Sequence, residues 1–291
     1  MQASNHEYYI PDGSYWPILG SVGMASMLGG FASSLHDNVM GTGIMVFGLG
    51  LIIFMVFGWF GQVVHESENG IYNKQVDRSF RMGMGWFIFS EVMFFAAFFG
   101  ALWYARNLSV PWLGGAGNNV FTGSVLWPEF KSVWPLIQVP DASNFTIPKG
   151  IIHAWEIPAL NTLCLLLSGA TLTWAHWALL NNNRKQIIMG LMATIALGLI
   201  FLSLQVAEYA EAYQHLDLKL TSGIYGSTFF MLTGFHGLHV TLGTVMLIVI
   251  LMRVIRGHFN PENHFGFEGV AWYWHFVDVV WLGLFIFVYW L

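Results

Sequence analysis

The sequence has little charge and almost no cysteine. Its 291 residues include 11 Lys and Arg and 16 Asp and Glu, so charged side chains make up only 9% of the chain. A water-soluble domain carries about 25% charged residues, and so few cannot cover a water-facing surface. No basic stripe suits nucleic acid, so no nucleic-acid partner is expected. The single cysteine, Cys164, excludes an intramolecular disulfide and a four-thiolate zinc site within the chain.

Apolar, aromatic and small residues are abundant instead. Apolar residues reach 56% of the chain, with 14 Trp, 25 Phe and 32 Gly. Tryptophan is enriched where membrane helices meet the headgroups, and glycine lets two helix backbones approach closely. This composition predicts helices packed against one another in a bilayer.

The apolar residues are grouped into stretches of transmembrane length. A helix needs about 20 apolar residues to cross the hydrocarbon core. Seven stretches meet this requirement: Trp16–Leu35, Met40–Val64, Phe80–Tyr104, Pro158–Leu180, Ile187–Ala210, Gly223–Arg253 and Gly269–Trp290. The sequence therefore predicts an all-α integral membrane bundle of seven transmembrane helices, with Pro158 at the start of the fourth.

Lys and Arg are unevenly distributed between the loops of this topology. The side that holds the N-terminus collects Lys74, Arg78, Arg81, Arg184, Lys185, Arg253 and Arg256. By the positive-inside rule, the N-terminus is expected inside and the C-terminus outside. The long segment 105–157 is rich in Pro and Gly, and we expect it to form an outer-side loop because irregular backbone cannot lie in lipid.

Glu91 is the clearest ionisable residue inside a span. It lies near the middle of the third stretch, its helical face is apolar, and no cation lies within one turn. Such a setting favours the neutral acid. We favour a functional interpretation, in which the carboxyl exchanges protons or faces lipid. The alternative is a neutral acid that is hydrogen-bonded to a neighbouring helix.

Other polar residues within the spans favour structural roles. Glu208 lies near the end of the fifth stretch and is expected to bond to another helix. His275 and Asp278 are three positions apart, so they share a helical face. This pair is capable of relaying a proton, but we favour a self-satisfied buried pair because an unpaired buried charge is costly.

His236 and His239 also lie three apart on one face. Metal or haem ligation by these residues is an alternative that we consider weak, because no carboxylate or thiolate set accompanies them at ligand spacing. The sequence therefore predicts no metal site on this chain and no catalytic residue.

Arg253 closes the sixth stretch at the membrane edge. A cation there suits both the helix C-terminus and an anionic lipid headgroup. Arg256, one turn further on, is expected to reflect ordinary positive-inside topology. Arg253 is therefore our candidate for lipid phosphate.

Several strings resemble one family, subunit III of cytochrome c oxidase. They are Ser90–Phe95, Gly226–Phe230, Thr233–Val240, Phe265–Glu268 and the eleven-residue run Ala271–Trp281. The resemblance covers all seven stretches and is most specific in the last two. Quinol oxidases have a similar third subunit that usually lacks the first two helices, so seven stretches favour the cytochrome c type.

The resemblance implies a fold and a role. It implies a two-helix unit with its connecting loop (residues 1–79) and a five-helix bundle (80–291), separated by a lipid-filled cleft. The family subunit has no redox chemistry. It packs on the catalytic subunit I, which holds the haems and copper, and supports proton uptake during reduction of oxygen to water.

The resemblance also assigns sites and partners. It places bound phospholipid at six residues: Trp59, Glu66, Tyr72, Glu91, Arg253 and His258. The outer loop is expected to meet subunit II or another component. We expect a multi-pass protein of a bacterial plasma membrane rather than the mitochondrial inner membrane. The competing function is a stand-alone proton channel or secondary transporter using Glu91, although no repeated half is visible.

Overall fold

A computed structural model describes residues 9–10 and 13–291 of the chain. Within those residues, all regular structure is helical. The eight α-helices are α1 (Trp16–Ser34), α2 (Val39–Glu68), α3 (Lys74–Tyr104), α4 (Val110–Leu113), α5 (Ile157–Leu180), α6 (Arg184–Gln214), α7 (Gly223–Arg256) and α8 (Phe265–Leu284). The all-helical prediction is confirmed.

Six helical segments of the described chain are long and apolar enough to span a membrane. They are Val39–Glu68, Lys74–Leu113, Ile157–Leu180, Arg184–Gln214, Gly223–Arg256 and Phe265–Trp290. The first predicted span is helical as α1, but this helix of 19 residues is not among the six. Its glycines and serines dilute its apolar character, so a seventh span stays a prediction.

The outer loop begins later than the sequence predicts. The third helix runs on from α3 through a π-helical segment, Ala105–Ser109, into α4, so that segment 105–113 is helix and the loop starts at Gly114. Pro111 has no N–H to donate within the helix. The π-helical register, in which Val110 N–H bonds to Ala105 O, precedes the proline and lets the helix continue past it.

Helix ends follow local chemistry. Pro158 stands in the first turn of α5, as predicted, where its missing N–H costs nothing. At the C-terminal end of α7, Gly257 adopts φ +81°, and the N–H of His258 donates a hydrogen bond to the carbonyl of Arg253. This left-handed residue ends α7 three residues beyond the predicted boundary.

The chain divides into two compact units, residues 1–80 and 81–291. The lipid-filled cleft that the resemblance implies stays a prediction.

In the first unit, α1 and α2 are packed at backbone distance. A Cβ added to Gly30 would lie 2.3 Å from the nitrogen of Met45, and one added to Gly48 would lie 2.3 Å from the nitrogen of Met27. Only glycine fits at these positions. The hairpin is therefore held by backbone contact of the kind that small residues permit in membranes.

In the second unit, Trp274 is the centre of the bundle. This fully buried side chain from α8 lies in a slot that Gly198 of α6 and Gly243 of α7 leave open, since a Cβ at either would lie 2.8 Å from the indole ring. Its indole N–H donates to Ser168 Oγ of α5 at 2.9 Å. One residue thus fixes the packing of four helices.

Candidate functional site

The described structure pairs Glu91 with a histidine from another helix. Glu91 Oε2 on α3 lies 2.9 Å from His239 Nε2 on α7, although 148 positions separate the two residues. Aromatic rings surround the imidazole, the nearest being that of Phe95 at 5.0 Å between centroids. The neighbouring-helix partner required by the alternative interpretation is therefore present.

Hydrogen-bond accounting fixes how many protons the pair holds. His239 Nδ1 lies 2.6 Å from the carbonyl of Phe235, and because a carbonyl only accepts, Nδ1 carries a proton. The Nε2–Oε2 contact then shares one further proton, held either by the acid or by the imidazole. Both arrangements leave the pair without net charge. The pair can therefore hold a proton without adding net charge inside the membrane span.

The two histidines of α7 turn to different partners. His236 is fully buried beside Phe201 and Trp281, and its Nε2 donates to the carbonyl of Val277 at 3.2 Å. His239 faces Glu91 instead. Across residues 9–10 and 13–291, no group of three or more His, Cys, Asp or Glu side chains is arranged to hold a metal ion.

The His275–Asp278 pair lies between α8 and α5. His275 Nδ1 is 3.6 Å from Asp278 Oδ2, and its Nε2 is 3.4 Å from Thr173 Oγ1. Asp278 is buried, and a Cβ added to Gly169 would come within 2.6 Å of its Oδ2. Glycine at position 169 thus makes room for the carboxylate.

Glu208 is bonded across the bundle. Its Oε1 accepts a hydrogen bond from Tyr289 Oη at 2.6 Å and another from Gln205 Nε2 at 3.1 Å. Neither partner was predicted from the sequence. Gln205 lies three positions before Glu208, which is a local signal of a shared face, whereas nothing near Tyr289 in the sequence pointed to this contact.

Two of the three predicted lipid residues of the first unit, Glu66 and Tyr72, belong to one hydrogen-bonded network. Tyr72 donates to Glu66 Oε2 at 2.7 Å, and Gln62 links Glu66 Oε1 to the indole N–H of Trp16. Burial raises the pKa of Tyr72 above the usual range of a phenol, and its bond to Glu66 adds to the effect. Trp59 lies apart from this network, half-exposed and stacked on Phe60.

Arg253 and His258 lie at the end of α7. The Arg253 guanidinium stands 4.4 Å from the ring centroid of Phe259, a cation–π geometry. A Cβ at Gly266 would lie 2.8 Å from Arg253 Nη1. The aromatic ring and the glycine hold this cation half-buried at the end of the span, while Arg256 is exposed.

The fold and these sites define an all-helical, multi-pass integral membrane protein with embedded carboxyl–imidazole pairs. The family model for cytochrome c oxidase subunit III matches residues 6–120 and 116–291. The chain belongs to the cytochrome c oxidase subunit III family.

Named relatives match over almost the whole chain. Cytochrome c oxidase subunit 3 of Marchantia polymorpha is 41% identical over 292 residues, covering 99% of this chain and 97% of the relative. The Cyprinus carpio protein of that name is 41% identical (100% and 99% covered), and the Arabidopsis thaliana one is 40% identical (100% and 98%). The matches support the oxidase role and give no support to a stand-alone channel or transporter.

Proposed function

We propose that this chain is a non-redox accessory subunit of cytochrome c oxidase that stabilises the catalytic subunit and supports its proton uptake. The Glu91–His239 hydrogen bond carries this proposal, because it gives the chain a proton-holding site inside a membrane span without a metal or cofactor. Haems and copper belong, in this proposal, to the partner subunits. Subunit I is the main contact.

Copurification tests the accessory role. A tag on this chain should recover a complex that contains haem and copper, whereas the chain isolated in detergent should show no Soret absorption. A Soret band from the isolated chain would support a membrane cytochrome instead. Failure to recover any haem-copper subunit would refute the proposal.

The proton-holding role has its own test in the assembled oxidase. Glu91→Gln and His239→Leu each remove one of the two groups that share the proton. Both variants should lower the turnover that the oxidase sustains at high pH. The control is Glu129→Gln, which alters an exposed carboxyl of the outer loop and should lower that turnover less. Turnover of Glu91→Gln or His239→Leu equal to that of Glu129→Gln would contradict a role for the pair in proton uptake.

We propose that a phospholipid phosphate binds at Arg253 and His258, and that Trp59, Glu66 and Tyr72 border a second lipid position. A cation near a membrane surface contributes about 1 kcal/mol to anionic lipid binding, or about a fivefold change in affinity. Arg253→Ala should therefore lower bound anionic phospholipid in native mass spectra and leave the haem spectrum intact. Arg256→Ala is the matched control, and equal retention by both variants would exclude an Arg253 site.

We further propose the topology and the outer contact. The N-terminus lies inside and the C-terminus outside a bacterial plasma membrane, and α1 crosses as a seventh span. The outer loop carries exposed apolar side chains at Val120, Phe121, Val125 and Leu126, which favours contact with subunit II. Crosslinking from Phe121 in the oxidase tests this contact.

A further inference from the structure

Aromatic side chains join α3 to α7 and α8. Phe94 of α3 packs against Phe235 of α7 at 4.9 Å between ring centroids, and Phe95 packs against Phe276 of α8 at 6.2 Å. Aromatic rings attract one another over centroid distances of about 4.5–7 Å. The length of a hydrogen bond varies over only about 0.5 Å. The rings therefore hold α3 close to the bundle without fixing its position as closely as a hydrogen bond requires.

The glycines of α3 give this helix no closer contact. A Cβ added to Gly83, Gly85 or Gly100 would meet nothing within 4 Å. By contrast, a Cβ added to Gly190 of α6 would lie 3.0 Å from the carbonyl oxygen of Thr171 of α5. Small residues let two helix backbones touch, and the glycines of α3 are not used in this way. The rotation and register of α3 therefore depend on its longer side chains.

An ion pair supplies such a restraint. Arg81 of α3 donates from Nη1 to Oε2 of Glu268 in α8 at 2.5 Å, and its guanidinium lies 5.5 Å from the ring centroid of Phe265. The side chains of Arg81 and Glu268 are only 33% and 16% exposed, so water screens the pair weakly. Glu268 lies in the first turn of α8, where the helix dipole favours an anion, and His264 Nε2 lies 3.8 Å from the same oxygen.

Arg81 and Glu91 restrain α3 at two levels. They are ten residues apart, which places them about 15 Å apart along the helix and about 80° apart around it. Their partners lie on different helices, since Glu268 belongs to α8 and His239 to α7. With side chains the helix radius is about 5–6 Å, so a rotation of α3 by about 10° moves a side-chain tip by about 1 Å. Such a movement is enough to break the 2.9 Å contact between Glu91 and His239.

We propose that Arg81 and Glu268 are positioning residues for the Glu91–His239 pair. Their ion pair fixes the rotation and register of α3, and this brings Glu91 Oε2 within hydrogen-bonding distance of His239 Nε2. The role assigned to Arg81 and Glu268 rests on the proton-holding function proposed for that pair. Without the ion pair, the aromatic contacts should keep α3 in the bundle, whereas the contact between Glu91 and His239 should lengthen.

Infrared spectroscopy of the assembled oxidase tests the positioning. The carboxyl vibration of Glu91 is isolated by subtracting the spectrum of a Glu91→Gln variant made in each background, and His239→Leu gives its frequency without the hydrogen bond. Arg81→Gln and Glu268→Gln should each shift the vibration in the direction that His239→Leu does. The double variant should shift it no further than either single variant, because the two residues act as one pair. Arg78→Gln removes an exposed cation one turn earlier in α3 and, as the matched control, should cause no shift.

Turnover at high pH separates positioning from a general loss of stability. Arg81→Gln should lower the turnover of otherwise wild-type oxidase but should lower that of Glu91→Gln no further, with haem content verifying assembly. Arg81→Lys keeps the cation and should shift the Glu91 vibration less than Arg81→Gln does. An unshifted vibration in Arg81→Gln, an equal shift in Arg81→Lys, or the same fold loss of turnover in both backgrounds would each overturn the proposal. Normal turnover of Glu91→Gln would refute the proton-holding function, and the infrared shift alone would then decide the positioning.

Discussion

Replacing Gly30 or Gly48 by alanine should separate α1 from α2. The new Cβ would lie 2.3 Å from a backbone nitrogen of the facing helix, whereas ordinary contact begins at 3.4 Å, so the helices must part by about 1 Å at that level. Overpacking of this kind costs about 1–3 kcal/mol. Rotation of a side chain cannot relieve either clash, because the atom that the new Cβ meets belongs to the backbone.

The assay is hydrogen-exchange mass spectrometry of the detergent-solubilised protein. A loss of about 1–3 kcal/mol lowers the protection of amides in α1 and α2 by about 5- to 150-fold. The two contacts lie three residues apart along each helix, about 4.5 Å, so they are close enough to couple, and Gly30→Ala/Gly48→Ala should lose less protection than the sum of the two single losses. Gly29→Ala and Gly43→Ala are matched controls, since a Cβ at either meets nothing within 4 Å. If the amides of α1 and α2 are as well protected in Gly30→Ala as in Gly29→Ala, backbone contact does not hold the hairpin.

Two further predictions concern the second unit. Ser168→Ala leaves the buried indole N–H of Trp274 without its acceptor, and thermal unfolding should show that the free energy of unfolding falls by about 1–3 kcal/mol. Ser203→Ala, at an exposed serine of α6, should leave the free energy of unfolding unchanged. Equal losses in the two variants would contradict this prediction. Asp217 is bonded to Lys149 at 2.6 Å, and this contact lowers the pKa of the aspartate. The stabilisation from a lowered pKa is complete at pH values above the usual pKa of an aspartate, and it is lost as the pH falls through the lowered pKa of the folded state. Proteolysis of the outer loop should therefore be equally slow at pH 6 and 8 and become faster below about pH 4. Asp217→Asn should be cleaved faster than the wild type at pH 6 and 8, and the difference should disappear at low pH, where Asp217 is itself protonated. A wild-type transition near neutrality would contradict the assignment.

The helices were predictable because apolar length alone defines them. Most of the predicted boundaries differ from the observed ends by a few residues. The polar first turn of α3 and the polar first and last turns of α6 extend beyond the apolar core that the pattern detects. The continuation through Pro111 was not predictable from residue types, because it depends on a change of hydrogen-bond register at 105–109. Proline and glycine in that segment indicated a loop.

The sequence predicted some residues of the polar sites but not their partners on other helices. The apolar setting of Glu91 singled it out, but its partner His239 is 148 positions away, and residues on the same helix cannot reveal a contact between helices. Likewise, glycine in general was expected to permit close helix approach, whereas Gly198 and Gly243 make room for the ring of Trp274. Such contacts depend on helix rotation and depth, and the hydropathy pattern specifies neither.

The single proton between Glu91 and His239 has an electrical consequence. A full charge moving across the bilayer gains or loses about 2.3 kcal/mol per 100 mV of membrane potential. When the proton passes from acid to imidazole, the pair changes its dipole but keeps zero net charge. The proton moves less than the 2.9 Å between Nε2 and Oε2, which is at most about a tenth of a hydrocarbon core of about 30 Å, so the membrane potential has little effect on its position and the local hydrogen bonds control it.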